Sequence, residues 1–203
     1  MFVTDGKSNY DRVCADLFAV ARNTGAFGSL SFLGGRASED GFFIAVFDEE
    51  WCVRGDGVYK DGLRLDTTGS ILVVRYALQA GTGETKGVWL PYRDLKDGTQ
   101  FASFIKTHLE DKIARLFSGK QEVLRKRMAA IGARPHEGDT SADLAVVVAP
   151  LPKVPVLCLF WDRDEEFSAS FQFLFDASAP SYLDLESLAA ALQYICTKIT
   201  EEV

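Results

Sequence analysis

Three strand-sized apolar runs in close order constrain this chain more than any other feature: "DLAVVVA" (143–149), "VPVLCLFW" (154–161) and "FSASFQFLF" (167–175). Each is rich in Val, Leu or Phe, and each is far shorter than the roughly 20 apolar residues a membrane-crossing helix needs. "PLPKVP" (150–155) joins the first two, and its three prolines stiffen the connection. The third run follows "WDRDEEF" (161–167) and alternates strictly. From 162 onward, Asp162, Asp164, Glu166, Ser168, Ser170 and Gln172 fall on one face, and Phe167, Ala169, Phe171, Phe173 and Phe175 on the other. That is the pattern of a half-buried strand with a wet face that begins in carboxylates.

Helical periodicity surrounds these strands. Tyr10, Val13, Cys14, Leu17 and Ala21 predict a helix over 8–22, closed at Gly25. Asp66, Thr67 and Thr68 are caps for a helix running to about Ala80, with Gly81 as its stop. The most strongly patterned helix spans Thr99 to Ser118, with Phe101, Phe104, Ile105, Leu109, Ile113, Leu116 and Phe117 in its stripe. His108 falls in that stripe and is expected to be a packed, hydrogen-bonded residue. A further helix over 120–131 stops at Gly132, and Asp184 caps a last one carrying Leu185, Leu188, Leu192, Ile195 and Ile199 on one face. Between the first two helices, "SLSFL" reads as a short strand, "GGRASEDG" as a flexible loop, and "FFIAVF" and "WCVR" as a hairpin around the acidic "DEE". Elements grouped in this way, rather than alternating, predict an α+β fold: a largely antiparallel sheet packed against several helices. No repeat, low-complexity tract or linker forces a division, so 1–203 reads as a single domain that admits lobes at about 1–65 and 66–203.

Composition removes several functions. With 22 basic against 29 acidic residues, the net charge of −7 disfavours a nucleic-acid partner, whose phosphates call for clustered Lys and Arg. Cys14, Cys52, Cys158 and Cys196 stand far apart with no C-x-x-C, which excludes a zinc finger or a local iron–sulfur motif and leaves them as small buried hydrophobes. "GTGETKG" (81–87) resembles a phosphate loop, but it follows a helix and places Thr85 before Lys86. No other cofactor fingerprint is present. The opening residues lack a basic stretch leading into an apolar one, so the expected location is the cytoplasm, with no membrane partner.

The candidate site is the acidic stretch itself: Asp162, Asp164, Glu165 and Glu166. Asp162, Asp164 and Glu166 occupy positions 1, 3 and 5 of a calcium loop, yet Phe167 and Phe173 stand where such a loop needs glycine and a bidentate glutamate. Two readings stay open. Either a bent turn binds a hard cation or a basic group on a ligand or partner, or the acids keep a hairpin tip solvated and deter edge-to-edge pairing.

The stretch Leu151-Pro152, Pro155, Trp161, Asp164-Glu165-Glu166-Phe167, Leu174-Phe175-Asp176, Tyr182-Leu183 and Glu186 resembles the signature block of a bacterial and archaeal family known as domain of unknown function 3786. Upstream, "ILVVRYALQAG" and "WLPYRDLKDG" resemble its middle helix and its Trp-containing segment, so the likeness covers roughly 20–195. The resemblance implies no established activity. It implies a setting in strict anaerobes and, through longer relatives with a cysteine-rich segment, a link to corrinoid or one-carbon metabolism. This chain lacks that segment, and it carries Arg75-Tyr76 where the family has His-Tyr. The expected function is a non-catalytic ligand- or partner-binding accessory protein, because no nucleophile–base pair can be assembled from the sequence. The alternatives are an enzyme working through the 162–166 carboxylates, with or without a metal, and a structural subunit that forms a homodimer.

Overall fold

The computed structural model describes residues 9–201. They form two compact units, one running up to Ala45 and including Glu49–Gly81, the other combining Val46–Asp48 with Thr82 onward. Helices and two antiparallel sheets make the α+β architecture expected of the grouped pattern.

The first unit opens with α1 (Asn9–Thr24) and a 3-10 turn, Ala26–Ser31. A meander follows, β1 (Arg36–Ser38), β2 (Gly41–Val46), β3 (Glu49–Arg54), β4 (Gly57–Lys60) and β5 (Leu63–Arg64), paired in chain order. Helix α2 (Thr67–Gln79) then packs against α1. Its cap is the expected one: the Asp66 carboxylate accepts the Gly69 N–H at 3.0 Å. Gly69 also admits the buried Trp51, because a Cβ there would stand 2.9 Å from the indole ring. Two buried hydrogen bonds tie α2 to the 3-10 region, from Tyr76 Oη to the Leu33 carbonyl (2.9 Å) and from Ser29 Oγ to the Ala77 carbonyl (2.8 Å). "SLSFL" is thus a 3-10 turn and not a strand, since a bond from its Ser29 to α2 rewards the tighter winding. The expected loop "GGRASEDG" contributes β1, paired to β2 through Arg36–Phe43 and Ala37–Phe42.

In the second unit the sheet order is β6 (Trp89–Pro91), β10 (Ser170–Asp176), β9 (Val154–Trp161), β8 (Leu144–Leu151) and β7 (Arg134–Pro135). The registers align buried side chains in rows across three strands: Leu144–Phe160–Phe171, Val146–Cys158–Phe173 and Val148–Val156–Phe175. Directly opposed residues share a face, so these nine form one continuous apolar layer. Against the sheet lie α4 (Asp111–Phe117), in contact with β10, and α5 (Gln121–Ala130), in contact with β8; α6 (Leu185–Thr200) packs on both helices.

One departure is informative. The long helix is not uniform: α3 (Thr99–Phe104) passes into a π-helical turn, Ile105–Glu110, before α4. The wider turn takes one residue more than an α-turn, so the buried row runs Ile105, Leu109, Ile113, Phe117 while Glu110 is drawn inward beside it. His108 is left outside. It is exposed, stacked on the exposed Phe104 at 4.8 Å, with Nδ1 2.8 Å from Thr107 Oγ1. The expectation of a packed histidine is therefore corrected.

A buried carboxylate fixes residues 83–87 within the second unit. Asp176, at the end of β10, is fully buried and accepts from the Lys86 N–H (3.0 and 3.1 Å), the Gly87 N–H (2.6 Å), and the Ser178 N–H and hydroxyl (2.9 and 2.5 Å). Tyr182 Oη donates to the Gly83 carbonyl at 2.7 Å, and Lys153 pairs with Glu84. The phosphate-loop look-alike thus turns its amides onto a carboxylate of its own chain. Burial raises the Asp176 pKa, but these donors outweigh it and hold the group below its ordinary value. Its contribution is present above the unfolded carboxylate pKa and is lost as pH falls through the lower folded value. Asp176→Ala is expected to cost about 2–3 kcal/mol at neutral pH. In thermal melts across acid pH, the gap between wild type and variant should close below about pH 4; a gap unchanged by pH would contradict the ionised role.

Candidate functional site

The acidic stretch is a connection and not a strand. β9 ends at Trp161, β10 begins at Ser170, and Phe167, expected on the buried face, is 70% exposed. The alternation holds only from Ser170, where β9 is present as a partner; before that, local carboxylate–backbone bonds win. Asp162 Oδ1 accepts the Gly119 N–H (2.6 Å) and the Arg163 N–H (2.7 Å), while the Asp162 N–H donates to Asp143 Oδ2 (2.7 Å). Gly119 can present its amide there because it ends α4 at φ 72°, in the left-handed region. Asp164 Oδ1 accepts the Phe167 N–H (2.7 Å) and the Glu166 N–H (2.8 Å), which closes a tight turn and lowers the Asp164 pKa. Glu165 and Glu166 are exposed. Among the described residues, no three His, Cys, Asp or Glu side chains converge as a metal-ligand set.

A carboxylate that the sequence reading did not single out lies elsewhere. Glu110, drawn in by the π-turn, accepts the Phe173 N–H at 2.9 Å and stands 3.6 Å from Lys106 Nζ. β6 is short and pairs only with Leu174–Asp176, so Phe173 presents its N–H on an edge without a strand partner, and Glu110 fills that place. Arg93, Lys106, Trp161 and Gln172 line a hollow of about 260 Å³ beside it. Burial raises the Glu110 pKa, and the Phe173 N–H and Lys106 offset this only in part. A raised carboxylate favours the folded state below the ordinary pKa and disfavours it progressively as pH rises through the folded value. Glu110→Gln keeps an acceptor for Phe173 and removes the buried charge, so its melting temperature is expected to match or exceed wild type at neutral pH, with the advantage shrinking as pH falls through the raised folded value and gone below 4.5. Glu110→Ala, which orphans the N–H, is expected to lose about 1–3 kcal/mol. Equal losses in both variants would dismiss the charge as the cause.

A further cavity belongs to the first unit. It encloses about 550 Å³ between α1, the β3–β4 turn, β5 and the start of α2. One wall is a row on α1, Asp11, Cys14, Phe18 and Arg22. Across from it, Arg22 Nη1 donates to the Gly55 carbonyl (2.9 Å) and Arg64 Nη2 to the Asp56 carbonyl (2.6 Å). Gly57 makes room for Arg64, since a Cβ at that position would come within 2.8 Å of Nε. Asp56 is occupied by the Tyr59 hydroxyl at 2.8 Å, and this bond chiefly lowers its pKa. No carboxylate lies within ion-pair distance of Arg22 or Arg64 among the described residues. At the other end, Thr67 Oγ1 donates to Asp11 Oδ1 at 2.7 Å, next to the α2 cap Asp66. Cys14 is half-buried between the two; burial raises its pKa, Arg64 opposes and Asp11 adds to the rise, so at neutral pH it is a thiol. Cys52, Cys158 and Cys196 are buried, as expected of small hydrophobes.

Neither arginine was expected at a site. The signal was available only in part: Asp11, Ala15, Phe18 and Arg22 recur at helical spacing one position away from the apolar row, but Arg64 comes from a two-residue strand that no periodicity marks.

Among the described residues no helix is long and apolar enough to cross a membrane. No curated protein and no solved structure matches the chain. The sequence profile of one family, described as domain of unknown function (DUF3786), matches residues 29–198. That span includes α2, the β6–β10 sheet and the loop anchored by Asp176 and Tyr182, and the chain belongs to the DUF3786 family.

Proposed function

We propose that this protein is a soluble, cytoplasmic, non-catalytic accessory protein that binds a small molecule in the cleft of its first unit. The observation that carries this reading is a pair of guanidinium groups, Arg22 and Arg64, each held by one backbone carbonyl in a cavity of about 550 Å³ with no carboxylate at ion-pair distance among the described residues. Both guanidiniums are exposed along the cavity wall, so their planar, bidentate forks are open to an anion that enters it. The volume lies in the range of small-molecule sites, and the walls are already tied together by hydrogen bonds, which limits the ordering cost of binding. The acidic turn supports the reading by default: two of its carboxylates, Asp162 and Asp164, are engaged with local amides. The net charge of −7 argues against nucleic acid as the partner. The family resemblance supplies the setting, the metabolism of bacterial and archaeal anaerobes.

Native mass spectrometry of protein purified anaerobically without chelator tests the reading. Extra mass on the wild type that is lost from Arg22→Ala and Arg64→Ala is expected, with each substitution weakening binding by about 1.5–3 kcal/mol, or roughly ten- to a hundredfold. Bare wild-type protein that also gains no mass from added cell metabolites would overturn it.

A second reading, a homo-oligomeric subunit, is favoured by a shallow apolar hollow formed by Phe101, Phe104, Ala189 and Ala190, with Phe104 43% exposed. Sedimentation as a dimer that dissociates on Phe104→Ser substitution is its expected outcome, and a wild-type monomer at micromolar concentration would dismiss it.

A further inference from the structure

We infer that the cleft takes a monocarboxylate with a short apolar tail, its carboxylate at Arg22 and Arg64 and its tail along Ala15 and Leu65. This rests on the cleft being the binding site proposed above and adds the charge and shape of its ligand.

The place of the head group comes from the β3–β4 turn. Arg22 Nη1 donates to the Gly55 carbonyl, and Arg64 Nη2 to the carbonyl of the next residue, Asp56. Each side chain also lies over a glycine. A Cβ on Gly55 would stand 3.4 Å from Arg22 Cδ, and one on Gly57 would stand 2.8 Å from Arg64 Nε. Two residues span at most about 7 Å, so both guanidiniums are seated on one short piece of backbone. A guanidinium has five N–H donors, and a planar carboxylate can accept from two such forks at once.

The charge of the head group comes from the wall. Asp56 lies between the two glycines, and the Tyr59 hydroxyl bond holds its pKa below the ordinary value, so it is ionised at neutral pH. Arg54, on the same turn, is laid over the Tyr59 ring and does not line the cavity. Two guanidiniums against the one carboxylate of the turn leave a single positive charge for the ligand to meet. Asp66, two residues after Arg64, and Asp11 make the lining as a whole three carboxylates against two guanidiniums. A phosphate monoester carries about 1.5–2 negative charges at neutral pH, and a dicarboxylate two, so each would set surplus charge against these acids. An amine would be set against Arg22 and Arg64. A carboxylate with one charge meets the guanidiniums and adds no more.

The tail follows from α1. Going back along the helix from Arg22, the wall continues as Phe18, Ala15 and Cys14, with Leu65 from beyond β5. Ala15 is exposed, and Cys14 and Leu65 are half-buried, so apolar surface remains for a ligand to cover. Each methylene buried there is expected to tighten binding by up to about fourfold.

The test is calorimetric titration of the full chain with n-alkyl carboxylates of increasing length, the matching n-alkyl phosphates, dicarboxylates and n-alkylamines. The variants are Arg22→Ala, Arg64→Ala and Asp56→Asn. Asn still accepts from the Tyr59 hydroxyl, so Asp56→Asn removes charge from the turn without removing its bond, and melting temperatures report on folding. Expected is carboxylate binding that tightens to an optimum length, at least about tenfold tighter than by the other three series, and about tenfold weaker in each arginine variant. In Asp56→Asn the phosphates are expected to gain more affinity than the carboxylates, a shift that a merely structural role for Asp56 would not produce. Phosphates that bind wild type as tightly as carboxylates would overturn the single-charge head group, and affinity that ignores chain length would overturn the tail. Failure of every probe on folded wild type would overturn the monocarboxylate altogether; whether the cleft binds anything is then decided separately by the native mass spectrum.

Discussion

The register of three strands in the second unit is the constraint on which the rest of that unit depends. With Val146, Cys158 and Phe173 in one row and equivalent rows on either side, the sheet offers one apolar layer to the helices. Fully burying a side chain of the Val, Leu or Phe kind contributes about 1.5–3 kcal/mol, and a slip of one residue would turn a whole strand's set to the opposite face. The π-turn follows from the same layer. It lets the helix keep Ile105, Leu109 and Ile113 buried while delivering Glu110 to the uncovered edge of β10.

Two buried carboxylates on that framework shift in opposite directions, and counting donors explains why. Asp176 receives three backbone N–H groups and a hydroxyl, enough to overcome its desolvation. Glu110 receives one N–H and a lysine at 3.6 Å, and desolvation prevails. Both are structural by the same logic: each supplies acceptors for amides that no strand or helix satisfies. Several residues of the family block acquire a physical role here, because Asp176 and Tyr182 hold residues 83–87 in place.

The acidic turn and the cleft use their charged groups differently. Asp162 and Asp164 sit among amides of their own and neighbouring residues and are used up in shaping the chain. Arg22 and Arg64 are far apart in sequence, yet they line one cavity, each bonded to a backbone carbonyl. What leaves a charged group open to a ligand is the geometry of its surroundings, and that is a property of the assembled unit.

By itself the sequence determined the elements that depend on periodicity and caps: α2 behind Asp66, α6 behind Asp184, the helix from Thr99, and the three strands from Leu144 to Asp176. It also determined the α+β class, since grouping of strands and helices limits the ways their apolar faces can be covered. These signals are local, carried by spacings of two to four residues. Tertiary structure decided the rest. It wound Ile105–Glu110 as a π-turn and left His108 outside, made "SLSFL" a 3-10 turn, and delayed β10 until Ser170, because each outcome depends on a partner distant in sequence. It also set Arg22 and Arg64, 42 residues apart with no local signal to link them, on the wall of one cavity.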